Sequence, residues 1–306
     1  MVHLLGQKKL QPRNKRSLIA EKSLQVRKSR ELRMTILYHT SVLLLSLLMM
    51  YPLLWMVSSA FKTHAELFAR MHQLIPLELY WGNFIEGWQG WGRHTFRTFF
   101  QNSFIISGSI TAGQVILAPF VAYGFARVKF YGKKTLFAIV LGTLIVPMQL
   151  LMIPQFLLFN HFEWINTFLP LIIPGMLPAA FFIFLNTQII RTLPLELDDA
   201  ARIDGCGHFG IYSRIILPNI IPGLVTTAIF SFYWSWAEFM GPLLYIRSTR
   251  LFPVALALAA FSDPAGGTPW GQLLAMSTLS LIPIFIIFIL LQKHLVEGIT
   301  TTGMKG

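Results

Sequence analysis

Residues 271–292 of the chain read GQLLAMSTLSLIPIFIIFILLQ, an uncharged stretch that stops directly before Lys293. At the helical rise of about 1.5 Å per residue, roughly 20 such residues cross the hydrocarbon core of a bilayer. Hydrophobic residues make up 54% of the chain and charged residues 12%, whereas soluble domains contain about 25% charged residues. The sequence therefore predicts an all-α integral membrane protein with six transmembrane helices, at residues 36–60, 103–126, 135–159, 167–190, 220–239 and 271–292.

The charged side chains are segregated from these stretches. Of the 25 Lys and Arg and 13 Asp and Glu residues, only Glu238 falls inside one, near its end. A charge at mid-bilayer costs about 3 kcal/mol, so this segregation supports the membrane assignment. The basic residues are concentrated in the segment before the first helix, in the second and fourth connections and after the last helix. By the positive-inside rule, both termini are predicted to be cytoplasmic.

The segment 1–35 carries ten Lys and Arg residues, no aromatic residue interrupts them, and the net charge of the chain is +12. Nucleic-acid binding commonly interleaves aromatic residues with basic ones, so we interpret this segment as a topology signal and a contact for the lipid bilayer. We expect no nucleic-acid partner. The sequence divides into this basic segment, the membrane domain 36–292 and a cytoplasmic tail, 293–306.

Proline is frequent in the predicted helices, which hold nine of the 17 prolines. Proline removes a backbone donor and kinks a helix, so the helices could surround a cavity. Alternatively, the prolines reflect only the higher proline content of membrane helices. Both interpretations remain open from the sequence.

The sequence lacks the usual signatures of enzyme and metal sites. Cys206 is the single cysteine, which excludes a cysteine-built metal cage. A phosphate-binding loop needs Gly-x4-Gly-Lys-Ser/Thr, and Gly132-Lys133-Lys134 has neither the first glycine nor the final hydroxyl. We therefore expect no catalytic residue, no metal and no cofactor on this chain.

The connection 191–218 reads RTLPLELDDAARIDGCGHFGIYSRIILP. Pro194 suits the first position of a helix, acids follow in its first turn, and Asp198 and Arg202 have the i,i+4 spacing of an ion pair. Gly205 and Gly207 break this helix, and a second short helix is predicted to run to Pro218. On the residues alone, the connection is either an ordinary capped loop or a knob that docks into another protein.

Four motifs resemble those of permeases from ATP-binding-cassette (ABC) importers. DAARIDG at 199–205, followed by IILP at 215–218, resembles their Glu-Ala-Ala loop, which docks into the ATPase. AYGFAR at 122–127, WAEF at 236–239 with PLL at 242–244, and VEGITTTGMKG at 296–306 resemble the maltose-permease-like carbohydrate branch. Three positions depart from the family pattern: Asp199 replaces Glu, Cys206 replaces Ala and Ala237 replaces Asn.

The resemblance implies a permease subunit in the bacterial cytoplasmic (inner) membrane that moves a sugar-like solute by alternating access. It implies four partners: a second homologous permease subunit, a cytoplasmic ATPase dimer that carries the ATP and Mg, an extracytoplasmic solute-binding protein and the lipid bilayer. A self-contained secondary transporter is the alternative, although such proteins usually hold ionisable residues at mid-membrane.

The resemblance also assigns residues to three roles. The ATPase-coupling residues are Glu196, Asp199, Ala200, Ala201, Asp204, Gly205, Leu217 and Pro218. The candidate substrate pathway comprises Tyr233, Trp234, Trp236 and Glu238. The predicted tail contact with the ATPase comprises Gly298, Thr300, Gly303 and Lys305.

Overall fold

A computed structural model describes the backbone of residues 15–90, 93–262 and 267–303, and the side chains of these ranges between residues 30 and 293. The chain divides into two compact units, residues 1–56 and 57–306. The described residues are predominantly helical. The α-helices are α1 (Lys15–Ser59), α2 (His64–Ala69), α3 (Gly82–Gln89), α4 (Phe96–Ala126), α5 (Lys133–Thr143), α6 (Met148–His161), α7 (Leu169–Met176), α8 (Ala180–Thr192), α9 (Glu196–Ile203), α10 (His208–Ile211), α11 (Leu217–Asn219), α12 (Ile221–Ala237), α13 (Met240–Tyr245), α14 (Val254–Phe261) and α15 (Trp270–Gly303).

The described part of the first unit belongs to α1. The stretch Arg30–Ser59 is long and apolar enough to cross a membrane, and none of its most apolar window is buried. Leu37, Leu44 and Leu48 are examples of its exposed apolar side chains. A helix that is apolar on all sides needs lipid or another protein around it. Helix α1 begins about six helical turns before the predicted first span, at Lys15 rather than residue 36.

The second unit is built around α4, which packs against α7, α8 and α12. Small residues along α4 allow these helices to approach closely, as is common between membrane helices. At Gly113 a Cβ atom would lie 2.6 Å from the Cα of Met176 in α7, so this contact requires glycine. Helix α12 packs in turn against α15.

A core rich in aromatic residues joins α4, α12 and α15. Phe96 and Phe99 of α4 are fully buried together with Phe232, Trp236 and Met276. The indole Nε1 of Trp236 donates a hydrogen bond to the carbonyl oxygen of Ser280 in α15, at 3.1 Å. Burying these rings removes a large apolar area from solvent and fixes the relative positions of α4, α12 and α15.

The predicted count of six membrane spans agrees with the structure once bent helices are considered. Four stretches are long and apolar enough to cross a membrane alone, and two bent helix pairs raise the count to six. The predicted third span, 135–159, was wrong as a single helix: α5 and α6 meet at 94°. The fourth span is interrupted between α7 and α8, at residues 177–179. The second span starts at Phe96, seven residues before the predicted boundary.

Prolines mark some of these interruptions. Pro147 caps α6 after the sharp bend, and Pro178 lies in the break between α7 and α8. In contrast, Pro52, Pro119 and Pro283 lie inside helices that continue through them. A proline alone therefore does not determine where these helices break.

Candidate functional site

The connection 191–218 folds as two short helical segments joined at a glycine. Helix α9 begins at Glu196, with Leu195 as its N-cap, two residues after the predicted start at Pro194. Gly205 has a φ of +79°, a left-handed conformation that glycine adopts without steric cost. The second segment comprises α10, one π-helical turn (Tyr212–Ile216) and α11. It continues through Pro218 to Asn219 rather than ending at that proline.

A buried ion pair fixes the first of these segments. Arg127, the residue after α4, places its Nε 3.5 Å from Oδ2 of Asp198, and both side chains are 3% exposed. The same guanidinium donates hydrogen bonds through its Nη2 to the carbonyl oxygens of Ile190 (3.1 Å) and Leu193 (2.7 Å). These carbonyls lie at the C-terminal end of α8, where backbone acceptors lack helical partners.

The predicted pairing of Asp198 with Arg202 was therefore wrong. Arg202 instead bonds Asp199 at 3.2 Å, with i,i+3 spacing on an exposed surface. Both spacings are compatible with a helical pair, so the sequence near α9 did not distinguish them. The partner that binds Asp198 comes from α4, 71 positions earlier in the chain.

The second segment rests on the same end of α4. The Tyr123 hydroxyl lies 3.3 Å from Nδ1 of His208, and the Tyr123 ring packs against the ring of Tyr212. Ile211 and Ile216 are buried beneath the segment in a cluster with Tyr123. Both halves of the connection thus contact the C-terminal end of α4.

The outer surface of the connection carries exposed apolar and acidic groups. Ile203 is 88% exposed and Phe209 is 72% exposed. Asp199 precedes both in the chain, and 68% of its side chain is exposed. Of the predicted coupling residues, Ala201 is buried and Leu217 is half-buried, whereas the others are exposed: Glu196, Asp199, Ala200, Asp204, Gly205 and Pro218.

A cavity of about 420 Å³ lies within the second unit, lined by α4, α6, α7, α8, α12 and α13. Of the four residues in the predicted substrate pathway, Trp234 and Glu238 line it. Tyr233 does not line it and is exposed, and Trp236 does not line it because its ring belongs to the aromatic core.

Three of the cavity residues occupy one face of α12, and Glu238, its C-cap, follows them: Ser231, Trp234, Ser235 and Glu238. Their i, i+3, i+4, i+7 spacing is that of a single helical face. The same spacing distinguishes Trp234 from Tyr233 and Trp236 in the sequence, so helical periodicity is the signal that identifies the cavity face. Ser231 is buried, and its Oγ has no hydrogen-bond partner among the residues that the structure describes.

Two other polar groups line the cavity without having been singled out as site residues. The Tyr245 hydroxyl donates a hydrogen bond to Oε1 of Gln155 at 3.3 Å. Burial, and then the charge of Glu238, raise the pKa of Tyr245 above its ordinary value. The Glu238 carboxylate accepts a hydrogen bond from the backbone N–H of Gly241 at 2.9 Å, which fixes its position at the start of α13.

Gln114 of α4 both lines the cavity and spans the break in the fourth membrane span. Its Nε2 donates to the carbonyl oxygens of Gly175 and Leu177, each at 2.6 Å, and its Oε1 accepts from the N–H of Ala179 at 3.0 Å. One side chain thus satisfies three backbone groups that the break between α7 and α8 leaves without helical partners.

The predicted tail contact is only partly within the described residues. The backbone of α15 continues as a helix to Gly303, through Gly298 and Thr300. The side chains after residue 293, and Lys305 altogether, lie outside the described residues. The role of this tail stays a prediction.

Residues 114–301, well over half of the chain, match the model of the family described as the binding-protein-dependent transport system inner membrane component. The chain belongs to this family. It is therefore a transmembrane permease subunit of an ABC importer, as the loop and tail motifs predicted, and a self-contained secondary transporter is not supported. The matched range includes the connection 191–218 and the cavity-lining residues from Gln114 onward.

Similar proteins cover most of the chain. It is 36% identical over 259 residues to the arabinooligosaccharides transport system permease protein AraQ of Halalkalibacterium halodurans, covering 84% of this chain and 91% of that protein. It is 30% identical over 274 residues to the trehalose/maltose transport system permease protein MalG of Thermococcus litoralis, covering 89% and 97%.

A solved structure shares the fold. A chain of a bacterial ABC transporter involved in the import of the acidic polysaccharide alginate aligns with a TM-score of 0.74. The alignment covers 87% of this chain and 98% of that chain at 18% sequence identity. At this identity the likeness concerns the helical architecture.

Proposed function

We propose that this permease imports a sugar or short oligosaccharide and that a separate cytoplasmic ATPase dimer drives it through the connection 191–218. A second homologous permease subunit completes the pathway, and an extracytoplasmic binding protein delivers the solute. Support for the sugar class comes from the relatives named for arabinooligosaccharides, for trehalose and maltose, and for diacetylchitobiose. The orientation follows from the basic residues, which put both termini in the cytoplasm.

The observation that carries the proposal for the ATPase is the contrast between the two sides of the connection. Its inner side is fastened to α4 by Arg127 and Tyr123, while Ile203, Phe209 and Asp199 face outward. Exposed apolar residues beside a charge are suited to a protein partner, because the apolar groups gain by burial and the charge selects its counterpart. Asp199 would bind a basic residue of the ATPase.

Cysteine cross-linking tests this contact. In a Cys206→Ser background, Ile203→Cys and Phe209→Cys should each cross-link to the ATPase subunit in membranes that contain the whole importer. Tyr131→Cys is the matched control, since Tyr131 is fully exposed in the connection between α4 and α5 on the same predicted cytoplasmic face. Equal cross-linking of the control would show that exposure rather than docking explains the result, and no cross-link at either test position would contradict the proposal.

The solute pathway is proposed at the 420 Å³ cavity. Trp234 and Tyr245 offer aromatic surfaces for the C–H faces of a sugar ring, and Ser231, Gln155 and Glu238 offer hydrogen-bonding groups. Sites of this kind, mostly apolar with a few placed polar groups, are typical of small-molecule binding. The polar lining favours a neutral hydroxylated solute over an anion, because Glu238 would repel negative charge.

Uptake kinetics test the pathway. Trp234→Ala in the intact importer should lower kcat for oligosaccharide uptake, because the stacking surface inside the membrane is lost after delivery by the binding protein. Trp270→Ala is a matched control, because Trp270 is 41% exposed against 44% for Trp234 and does not line the cavity. Wild-type uptake by Trp234→Ala, at equal amounts in the membrane, would remove the cavity from the pathway.

A further inference from the structure

The buried pair between Arg127 and Asp198 is not needed for docking, because neither side chain reaches the outer surface of the connection. The pair joins three helices at one point: the end of α4, the first turn of α9 and the last turn of α8. The guanidinium contacts Asp198 on one side and the carbonyl oxygens of Ile190 and Leu193 on the other. This arrangement uses the fork of donors that arginine has and lysine lacks.

Burial makes this pair an unusual choice for stability alone. Replacing a buried ion pair with apolar side chains of similar volume is often neutral or stabilising, because two charges no longer have to lose their hydration. Oδ1 of Asp198 and Nε of Arg127 have no hydrogen-bond partner within the described part of the chain, so the two charges compensate each other as an ion pair at 3.5 Å. An ion pair does, however, fix the geometry of its groups more closely than apolar contacts that can slide.

The helices that meet at this pair continue to the cavity. Helix α4 carries Ser103, Ile106, Ile110 and Gln114 along the cavity wall, and α8 begins at the break that Gln114 spans. Beneath the second half of the connection, the contacts are mainly apolar and aromatic, with one hydrogen bond between Tyr123 and His208. The charged link between α9 and the helices around the cavity is thus made at Arg127.

We propose that Arg127 is a positioning residue for energy coupling. Its guanidinium makes α9 and the inner ends of α4 and α8 move as one body. A displacement of the connection by the ATPase therefore changes the shape of the cavity rather than only bending the loop. This inference rests on the proposed function of the connection as the ATPase contact.

The test uses the complete importer, reconstituted in liposomes with its sister permease, ATPase and binding protein. The quantity measured is the number of solute molecules imported per ATP hydrolysed. Arg127→Met should lower this ratio at least about fivefold, the lower end of ordinary coupling between two sites. Arg127→Lys should give an intermediate ratio, because an ammonium can bind Asp198 but cannot also reach both carbonyl oxygens in the same geometry.

A double variant separates coupling from folding. Arg127→Met with Asp198→Leu replaces the pair by apolar groups and leaves no unpaired charge, so the protein should retain its thermal stability and its binding to the ATPase. We expect the ratio of import to hydrolysis to stay low in this variant. Arg247→Met is the matched control: Arg247 is exposed, lies outside the connection 191–218 and should keep the wild-type ratio.

The outcomes are distinct. A double variant with a wild-type ratio would overturn the inference, because the pair would then serve stability only. A stable double variant that no longer binds the ATPase would also overturn it, since Arg127 would act on docking, while the proposed function would stand. If the Ile203→Cys and Phe209→Cys variants with an intact Arg127–Asp198 pair both fail to cross-link to the ATPase, the proposed contact is contradicted and the inference is contradicted with it.

Discussion

Replacing Gln114 tests whether one side chain holds the broken fourth span together. Gln114→Met keeps the length and volume of the side chain but removes all three hydrogen bonds, to Gly175, Leu177 and Ala179. In water, each freed backbone group could bond solvent instead. In the interior of a membrane protein water is scarce, so the freed backbone groups lose their hydrogen-bond partners.

The size of the effect follows from the number of bonds. Hydrogen bonds between membrane helices average about 0.6 kcal/mol, and ordinary intramolecular bonds reach about 1.5 kcal/mol. Three bonds therefore correspond to about 2 to 5 kcal/mol. At roughly 2 °C per kcal/mol for a chain of this size, even the lower value lowers Tm by about 4 °C.

The assay is thermal unfolding of the purified chain in detergent, followed by the fluorescence of its tryptophans. Gln188→Met is the matched control, because Gln188 lies on α8 with an exposed side chain. We expect Gln114→Met to melt well below both the wild type and this control. Equal melting temperatures for the two variants would refute the argument that Gln114 stabilises the break.

Three further substitutions test separate features of the fold. Gly205→Asn should retain more uptake than Gly205→Val, because asparagine tolerates the φ of +79° and a β-branched residue does not. Initial uptake rates measure the difference, and the reverse order would exclude backbone conformation as the cause. Gly113→Ala should lower Tm, because the added Cβ would clash with α7. Gly108→Ala should leave Tm unchanged, because its Cβ would meet no atom within 4 Å. Equal melting temperatures for the two variants would contradict the close approach of α4 and α7. Asn166→Ala should lower the free energy of unfolding by about 1–3 kcal/mol, because Oδ1 of Asn166 accepts hydrogen bonds from the backbone N–H groups of Arg247 and Ser248 and its φ is +64°. Unfolding in denaturant measures the loss, and an unchanged midpoint would contradict the prediction.

The six spans could be predicted because length and the absence of charge are local properties of the sequence. The breaks could not, since proline shows where a helix can break but not where another group will satisfy the freed backbone. Pro178 lies in a break whose backbone groups Gln114 binds, whereas Pro119 stays within α4. Gln114 was only one of several polar residues in the predicted spans, and its role depends on the tertiary contact between α4 and α7.

In the candidate site too, local properties of the sequence were predictable and tertiary contacts were not. The glycine that separates the two segments of the connection was predictable, because the conformational freedom of Gly205 is intrinsic to the residue. The partner of Asp198 was not, because local spacing favoured Arg202 while the fold brought Arg127 to it. On α12 and at its C-cap, the spacing of Ser231, Trp234 and Glu238 does identify the cavity face from sequence, whereas the aromatic character of residues 233–236 does not.

The distance along the chain between Arg127 and Asp198 also constrains biogenesis. Arg127 leaves the ribosome 71 residues before its carboxylate partner, and the third and fourth spans lie between them. Until those spans have entered the bilayer and α9 has been synthesised, the guanidinium has to stay hydrated at the membrane surface. The connection can therefore acquire its final shape only after the third and fourth spans and α9 have been synthesised, so this ion pair forms late in the maturation of the subunit.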